Sequence, residues 1–324
     1  MNNYKEEQSM LIAHPVSVII PVRNGAKTIK ECLNAVFEQS LKPFEVIVVD
    51  GQSTDNTIDI AMTFPVKLLK QTYGRCAAAR QMGLEVAQGE YVAFTDSDCV
   101  PDKDWLQNLV TELKENIIGV GGGIKNVGEG LWIRSINLAQ NTFVGGGSSI
   151  QTRLIMDKRF VKSISGANSM YRKKDILEIG GFNVRLTGAD ETELNSRLLK
   201  SKKGKLLYTP KAAVIHNHGR NLKEFAGNMY HYGRWRRECR VWDFPIIPAL
   251  LFPFVLLTVF LQYWIFLVLA LIYVLIILAI GSKFAIQNKS MSYMASIPIV
   301  FVVLHGCYIL GFWREAIFPV RVKK

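Results

Sequence analysis

Cysteine is scarce in this chain of 324 residues, and none of its five cysteines stands in a CxxC pair. Their scattered spacing excludes a disulfide framework and a structural zinc site, and it fits a reducing compartment. The five positions are Cys32, Cys76, Cys99, Cys239 and Cys307. Only 20% of the residues are charged and 10% are aromatic, a composition that excludes an intrinsically disordered protein.

Two long stretches near the end of the sequence lack charge. No Asp, Glu, Lys or Arg occurs between Phe244 and Ser282, or between Ser290 and Trp313. A membrane span needs about 20 apolar residues, so the second stretch predicts a single span. The first is too long for one straight helix and too short for two full ones. It is either a hairpin that turns near 262–264 or an interfacial segment followed by one span.

Basic residues lead into the first apolar stretch, and the whole chain carries a net charge of +12. Such residues mark the cytoplasmic side of a span and attract anionic lipid. We therefore predict a polar domain over 1–235 in the cytoplasm and a multi-pass region over 236–324 in the cell membrane. Its two or three hydrophobic segments fall at about 246–281 and 293–313. The basic positions are Arg234, Arg236, Arg237 and Arg240.

The number of spans stays open at this stage. Arg321, Lys323 and Lys324 also favour the cytoplasm, which requires an even number of crossings, whereas a hairpin plus a span gives three. The first 15 residues have no apolar core, so we expect no signal peptide. The basic residues flank spans and do not form a patch interleaved with aromatics, so we expect no nucleic-acid partner.

The polar part of the chain has the pattern of an α/β domain. Short β-rich runs at 16–20, 45–49, 66–69 and 91–94 alternate with helical patterns. This alternation predicts a parallel sheet with helices on both faces. Ligands of such sheets bind beyond the carboxyl ends of the strands, where Asp50 and the Asp96-Ser97-Asp98 segment both fall. Ser53 and Thr54 are expected to cap the helix that follows Asp50.

Asp96 and Asp98 form a DxD pattern at a predicted strand end. Two carboxylates can hold Mg²⁺ or Mn²⁺ through oxygen, and the metal keeps positions open for a diphosphate. A solvated turn can contain the same tripeptide, so the pattern alone leaves both interpretations open.

Four ordered blocks give that pattern a context: IIPVRN (19–24), VVDGQSTDNT (48–57), GRCAAAR (74–80) and TDSD (95–98). Together they resemble the family 2 glycosyltransferases, which have a GT-A fold. The resemblance implies a nucleotide-sugar donor and assigns roles by position. Asp98 would be the direct metal ligand, Asp96 would contact the ribose or a metal-bound water, and Arg80 would lie near the diphosphate. The nucleotide-binding face would comprise Pro21, Arg23, Asn24, Asp50 and Ser53.

The segment from Ser165 to Leu194 resembles the acceptor side of the same family, in which a carboxylate of a Glu-Asp pair is the general base. Here the order is reversed, as Asp190-Glu191. The helical continuation aligns Glu191 with the catalytic Asp, and Asp190 remains a candidate. An attacking hydroxyl needs a group to take its proton. A single base on the face opposite the leaving group gives inversion of configuration at the anomeric carbon. Retention of that configuration would require a second carboxylate close to the first.

His216 and His218 follow a strand-like run, KAAVI. Two histidines at i and i+2 point the same way on an extended chain, so one could complete the metal shell, with His218 as the candidate ligand. Polar loop histidines are the alternative interpretation.

The final third resembles membrane-anchored family 2 enzymes of exopolysaccharide assembly, of the succinoglycan type. Arg234-Trp235 is present, but the QxxRW motif of processive synthases has His231 in place of Gln. We therefore expect a metal-dependent, inverting transferase that adds one sugar to a lipid-linked glycan at the cytosolic membrane face. An alternative is a polyprenyl- or dolichyl-phosphate glycosyltransferase with the lipid phosphate as acceptor. A more remote alternative is a non-catalytic membrane scaffold.

Overall fold

A nine-stranded mixed sheet underlies the arrangement of the acidic residues. The structure, a computed structural model, describes residues 15–147, 154–201, 204–217, 221–242 and 246–319. Along the sheet the strands lie in the order β3-β2-β1-β4-β8-β6-β9-β5, and β7 pairs with β9. The strands are β1 (Val16–Val22), β2 (Glu45–Asp50), β3 (Lys67–Lys70), β4 (Tyr91–Thr95), β5 (Cys99–Pro101), β6 (Ile117–Val127), β7 (Arg159–Val161), β8 (Asn168–Arg172) and β9 (Lys205–Asn217).

The first four strands are parallel, as the sequence predicts. Their carboxyl ends therefore lie along one edge, and Asp50 closes β2 in register with Val22 of β1. From β8 onward the neighbours run antiparallel. The prediction of a mostly parallel sheet thus describes only the first half of the sheet. The apolar runs beyond residue 100 contain glycine and polar residues, such as Gly121 and Ser169, that weaken a strand pattern.

The structure contains helices α1 (Ile29–Phe37), α2 (Thr57–Ala61), α3 (Cys76–Val86), α4 (Trp105–Glu112), α5 (Leu131–Gln140), α6 (Phe143–Gly146), α7 (Lys173–Glu178), α8 (Asp190–Ser201), α9 (Leu222–Glu238), α10 (Ile247–Leu261), α11 (Tyr263–Gln287) and α12 (Tyr293–Ile317).

The chain divides into two compact units, one of residues 1–125 and 150–217 and the other of 126–149 and 218–324. The predicted boundary at residue 235 lies inside α9. In the first unit alternate residues of each strand serve opposite faces of the sheet. Val18 and Ile20 pack in one apolar core with helices α1 and α4, and Ile19 packs in the other with α3 and α8. This packing fixes α3 and α8 on the same face.

The second unit contains two helices that are long and apolar enough to cross a membrane. Helices α11 and α12 have 25 residues each, and their apolar 18-residue windows have mean hydropathies of 3.0 and 2.0. Helix α10 has 15 residues, which is short of the roughly 20 that a span requires. The first apolar stretch breaks at Gln262, between α10 and α11. Of the two predicted arrangements, a short helix followed by one long helix matches these lengths.

Helices α9 and α12 approach each other closely within the second unit. A Cβ atom on Gly233 would lie 2.0 Å from the Tyr308 carbonyl oxygen, and one on Gly311 would lie 1.9 Å from that of Tyr230. Beside this crossing, Arg234 Nε donates to Glu315 Oε2 at 2.9 Å, with both side chains largely buried. Because the two glycines have no side chain, the backbones of α9 and α12 can pack closely against each other. The ion pair also joins α9 to the end of α12.

Candidate active site

The ends of β1 and β2 carry the residues that the sequence assigns to the nucleotide. Asp50 is 3% exposed, and its carboxylate accepts hydrogen bonds from the Ser53 backbone N–H at 3.2 and 3.3 Å. The backbone N–H of Gly51 donates to the Val22 carbonyl at 2.7 Å, which joins the two strand ends. Pro21 is half-buried in β1, and Arg23 is exposed just after it. These residues form one polar rim.

Asn24 connects the two loops of this rim. Its φ of 52° places it in the left-handed region, which Asn tolerates better than most residues. Its backbone N–H donates to Ser53 Oγ at 2.8 Å, and its Oδ1 accepts from the Thr54 N–H at 2.8 Å. The predicted capping role of Ser53 and Thr54 is therefore wrong. Helix α2 begins later, after Asn56, and these two residues bond across to the β1 loop instead.

Arg80 lies at the centre of the acidic cluster. It comes from α3 and is 4% exposed. Nη2 donates to Asp96 Oδ1 at 3.0 Å, and Nη1 donates to Asp190 Oδ2 at 2.8 Å. Glu191 Oε2 lies 4.0 Å from Nη1. One guanidinium thus joins the DxD segment after β4 to the acidic pair that opens α8. We call Arg80, Asp96, Asp190 and Glu191 the Arg80 cluster.

The backbone of Gly166 forms a wall of this cluster. A Cβ atom at this position would lie 2.7 Å from the guanidinium carbon of Arg80. Only glycine lets the chain approach the guanidinium so closely. In the sequence this glycine stands in the run SGAN at 165–168, but that run alone does not predict that its backbone packs against Arg80.

The two acidic residues of α8 have different surroundings. Asp190 is 2% exposed and bound to Arg80, whereas the Glu191 side chain is 21% exposed. Burial and, after it, the negative charge of Asp190 together raise the pKa of Glu191 from its ordinary value of 4.5 to about 7, against the opposing effect of Arg80. Ala189, just before them, has a φ of 54°, a strained conformation for a residue with a Cβ atom. The chain therefore holds the pair under local constraint.

The other end of the DxD segment lies beside β9. In the antiparallel pairing of β5 and β9, Cys99 stands opposite His216. His216 Nε2 lies 3.0 Å from Asp98 Oδ2. One ligand atom each from Asp98, Cys99 and His216 can be found within 4.8 Å of one another. The sequence named His218 as the candidate ligand, and that residue lies outside the described part of the chain.

The donor chemistry of this group fits a divalent cation of the harder kind. A carboxylate and an imidazole suit Mn²⁺, and carboxylates suit Mg²⁺. Burial raises the pKa of the Cys99 thiol well above its ordinary value, so this sulfur is a protonated, poor ligand. Burial also raises the pKa of Asp96, against the opposing effect of Arg80, and the Asp98 charge raises it further. Asp98, His216 and Asp96 are therefore the residues that could hold a metal.

A sequence model named glycosyl transferase family 2 matches residues 17–180, just over half of the chain. The chain belongs to this family. It is thus a glycosyltransferase. The matched region includes Asp50, Arg80, Asp96 and Asp98 and ends before α8. Family membership does not support the alternative of a non-catalytic scaffold.

Two curated relatives show how much of the chain the sequence similarity covers. Glycosyltransferase AglE of Haloferax volcanii is 31% identical over 191 residues, which are 54% of this chain and 58% of that protein. A dolichyl N-acetyl-alpha-D-glucosaminyl phosphate 3-beta-D-2,3-diacetamido-2,3-dideoxy-beta-D-glucuronosyltransferase of Methanococcus voltae is 27% identical over 320 residues, 93% of this chain and 97% of that protein. The second alignment includes the apolar helices. This chain spans less than two thirds of AglE.

A solved structure supports the GT-A fold. The mannosyltransferase PcManGT of Pyrobaculum calidifontis, in complex with GDP-Man and Mn²⁺, superposes with a TM-score of 0.59. It is 19% identical, and the alignment covers 94% of this chain and 87% of that one. At this identity the likeness establishes the fold, a mixed α/β sheet followed by apolar helices.

Proposed function

We propose that this glycosyltransferase transfers one sugar, with inversion and with a divalent metal, to a lipid-linked glycan at the cytosolic face of the cell membrane. The Arg80 cluster is the observation that carries the proposal. Through the Arg80 guanidinium it links the DxD segment, where a donor diphosphate would bind, to Glu191, a carboxylate of raised pKa, where an acceptor would react.

The donor would bind along the strand edge. Asp50, with Asn24 and Ser53 beside it, would hold the base and ribose at the ends of β1 and β2, and Arg23 and Pro21 would border them. Asp98 and His216, with Asp96, would hold Mg²⁺ or Mn²⁺. Such a metal supplies positive charge that stabilises the departing diphosphate.

Glu191 fits the role of general base better than Asp190. An acceptor hydroxyl must lose its proton as it attacks the anomeric carbon, and a base with a pKa near the working pH does this most effectively. Glu191 is partly exposed and has a pKa of about 7. Asp190 is buried and hydrogen-bonded to Arg80. We assign Asp190 to positioning Arg80 and Glu191 to taking the proton.

Arg80 is assigned a positioning role as well. The resemblance implied a place near the diphosphate, yet both terminal nitrogens of its guanidinium already donate to carboxylates. Three acidic side chains around one buried cation form a charge-assisted network that fixes their geometry. We propose that Arg80 holds Asp96 and the α8 acidic pair at a set spacing.

The apolar helices and one relative support a lipid-linked acceptor. Helices α11 and α12 are long enough to place the enzyme in a membrane. Two spans would also keep the basic residues before α10 and those at 321–324 on one side, in agreement with the positive-inside rule. The Methanococcus voltae relative, aligned over 93% of this chain, carries a dolichyl-linked sugar phosphate in its name.

The second candidate acceptor is a polyprenyl or dolichyl phosphate itself. A phosphate is already ionised and needs no base, so the two candidates differ in their need for Glu191. The raised pKa of Glu191 favours the hydroxyl acceptor.

The proposal is tested with the purified full-length protein and a panel of nucleotide sugars. Each donor is offered with Mn²⁺ or Mg²⁺ and with either a lipid-linked monosaccharide or a polyprenyl phosphate. We expect transfer to the monosaccharide. E191Q should lose this transfer activity, and D190N should lose both the activity and stability. Undiminished transfer by both variants would contradict the hydroxyl acceptor and favour the phosphate.

A further inference from the structure

A shallow depression lies in the second unit where α9 ends and α10 begins. Three arginines and three large apolar side chains line most of it: Arg236, Arg237, Arg240, Trp242, Ile246 and Phe312. We call it the arginine depression. It adjoins the first residues of the apolar sequence, and nothing in the proposed sugar transfer uses it.

The arginine depression is rich in positive charge. Arg237 and Arg240 have no hydrogen-bond or ion-pair partner among the residues that the structure describes. Arg234, one turn earlier, contrasts with them because Glu315 pairs with it. Two guanidinium groups at one surface favour an anion with several oxygens, since their planar forks match phosphate geometry.

The backbone at Arg240 supports a functional role. Its φ of 53° is left-handed, in the position just after a helix end where glycine or asparagine is usual. A residue with a long side chain is strained in this conformation. Helix geometry alone would favour a glycine here, so the arginine points to a use for its charge.

The other side of the depression is apolar. Ile246 and Phe312 are each 3% exposed, and Trp242 is 65% exposed at the rim. From this point one face of α10 presents Ile247, Leu251 and Phe254 at the spacing i, i+4, i+7, and all three are exposed. A cationic pocket that continues into an apolar helix face matches an amphiphile with a phosphate head and a hydrocarbon chain.

We propose that the arginine depression binds the phosphate group of the lipid that carries the acceptor glycan, with Arg237 and Arg240 donating to its oxygens. The hydrocarbon chain then lies along the exposed face of α10. This inference rests on the proposed lipid-linked acceptor and adds the place where its phosphate is held. The chemistry selects a long-chain isoprenoid phosphate over a neutral lipid.

The test measures lipid binding without donor or turnover, so that it is separate from the test of the transfer reaction. Full-length protein in nonionic detergent is titrated with polyprenyl phosphate, with polyprenol of the same length, and with phosphatidylglycerol, and binding is read by native mass spectrometry. The variants are R237Q/R240Q and the matched control K283Q/K289Q. The control removes two exposed positive charges near the opposite end of α12.

We expect the wild type to bind polyprenyl phosphate at least about tenfold more tightly than polyprenol, since only the phosphate can accept charge-assisted hydrogen bonds from the two guanidinium groups. R237Q/R240Q should lose that preference, and K283Q/K289Q should keep it within about twofold. E191Q should also bind normally, even if it has no activity.

Three outcomes would overturn the inference. Equal affinity of the wild type for polyprenol and polyprenyl phosphate would leave no phosphate site, and this comparison needs no variant to fold. Equal or tighter binding of phosphatidylglycerol would assign the arginines to bulk anionic lipid. Unchanged binding by a folded R237Q/R240Q would place the phosphate elsewhere.

Discussion

Replacing Glu191 with glutamine should make the protein more stable above neutral pH. Three carboxylates, those of Asp96, Asp190 and Glu191, surround the single guanidinium of Arg80. Burial and the Asp190 charge therefore disfavour ionised Glu191 and raise its pKa from 4.5 to about 7. A neutral amide of the same shape removes this unfavourable charge and leaves the two direct hydrogen bonds of Arg80 in place.

The sign and size of the effect follow from linkage. In the unfolded chain Glu191 loses its proton near pH 4.5, but in the folded protein it does so near pH 7. Between these values the folded state binds more protons, so the wild type loses stability as the pH rises. The loss is nearly absent below about pH 4 and complete above about pH 8, where it reaches about 3 kcal/mol. E191Q avoids the loss.

The assay is thermal unfolding of the full-length protein in detergent from pH 5 to pH 9. We expect the Tm of E191Q to exceed that of the wild type by several degrees at pH 8, since about 1 kcal/mol shifts the Tm by roughly 2–4 °C in a domain of this size. The difference should shrink to about a quarter of this value at pH 5. The matched control is E193Q, two residues further along α8.

Glu193 is paired with Arg197 through two contacts of 2.6 and 2.7 Å, so its replacement removes an ion pair and should lower the Tm or leave it unchanged. A Tm of E191Q equal to that of the wild type at pH 8 would refute the reasoning. So would a difference that does not vary with pH, because only ionisation of Glu191 gives the pH dependence.

Three further predictions concern the metal site, the Arg80 cluster and the membrane helices. D98A should weaken Mn²⁺ binding at least about tenfold and abolish metal-dependent transfer with the fold retained; full activity in chelator would contradict the metal assignment. G166A forces a Cβ atom to 2.7 Å from the Arg80 guanidinium carbon, so the Arg80 cluster must shift and kcat should fall strongly. Unchanged kinetics would show that transfer does not depend on the geometry of the Arg80 cluster. G311A places a Cβ atom 1.9 Å from a backbone carbonyl and should cost about 1–3 kcal/mol or more, measured as a fall in Tm. G306A on the same helix meets nothing within 4 Å and should be neutral, and equal effects of both would refute the close crossing.

The sequence predicts the part of the site that rests on local pattern. The β-rich runs at 16–20, 45–49 and 91–94 form strands, and parallel strands place Asp50 and the DxD segment on one edge. Each of these inferences needs only the neighbouring residues and the rule for parallel sheets.

Contacts between distant segments could not be predicted in this way. The register of β5 against β9 places His216 beside Asp98. The residues that neighbour either of them in the sequence do not predict that register. Asn168 is a second case. It is fully buried, accepts from Trp105 Nε1 at 2.7 Å and donates to the carbonyls of Gly123 and Ala212 at 2.9 and 2.8 Å. It joins three strands beside the site, and no pattern in the sequence predicts this role.

The reversed acidic pair shows what the structure adds to a motif. The order Asp190-Glu191 leaves both residues as candidate bases when only the alignment is considered. Distances to Arg80 of 2.8 Å and 4.0 Å, with exposures of 3% and 21% for the two side chains, give them different surroundings. The assignment of the base thus depends on a partner 110 positions away in the chain.

The pH dependence of transfer to a lipid-linked sugar by the wild type and by E191Q tests the central claim most directly. With saturating donor and Mn²⁺, kcat of the wild type should rise with pH through about 7 and then level off, as Glu191 ionises. E191Q should be roughly 100-fold slower or worse and should lack this rise, since a general base contributes about 10²–10⁴-fold. A wild-type rate and profile in E191Q would contradict the account.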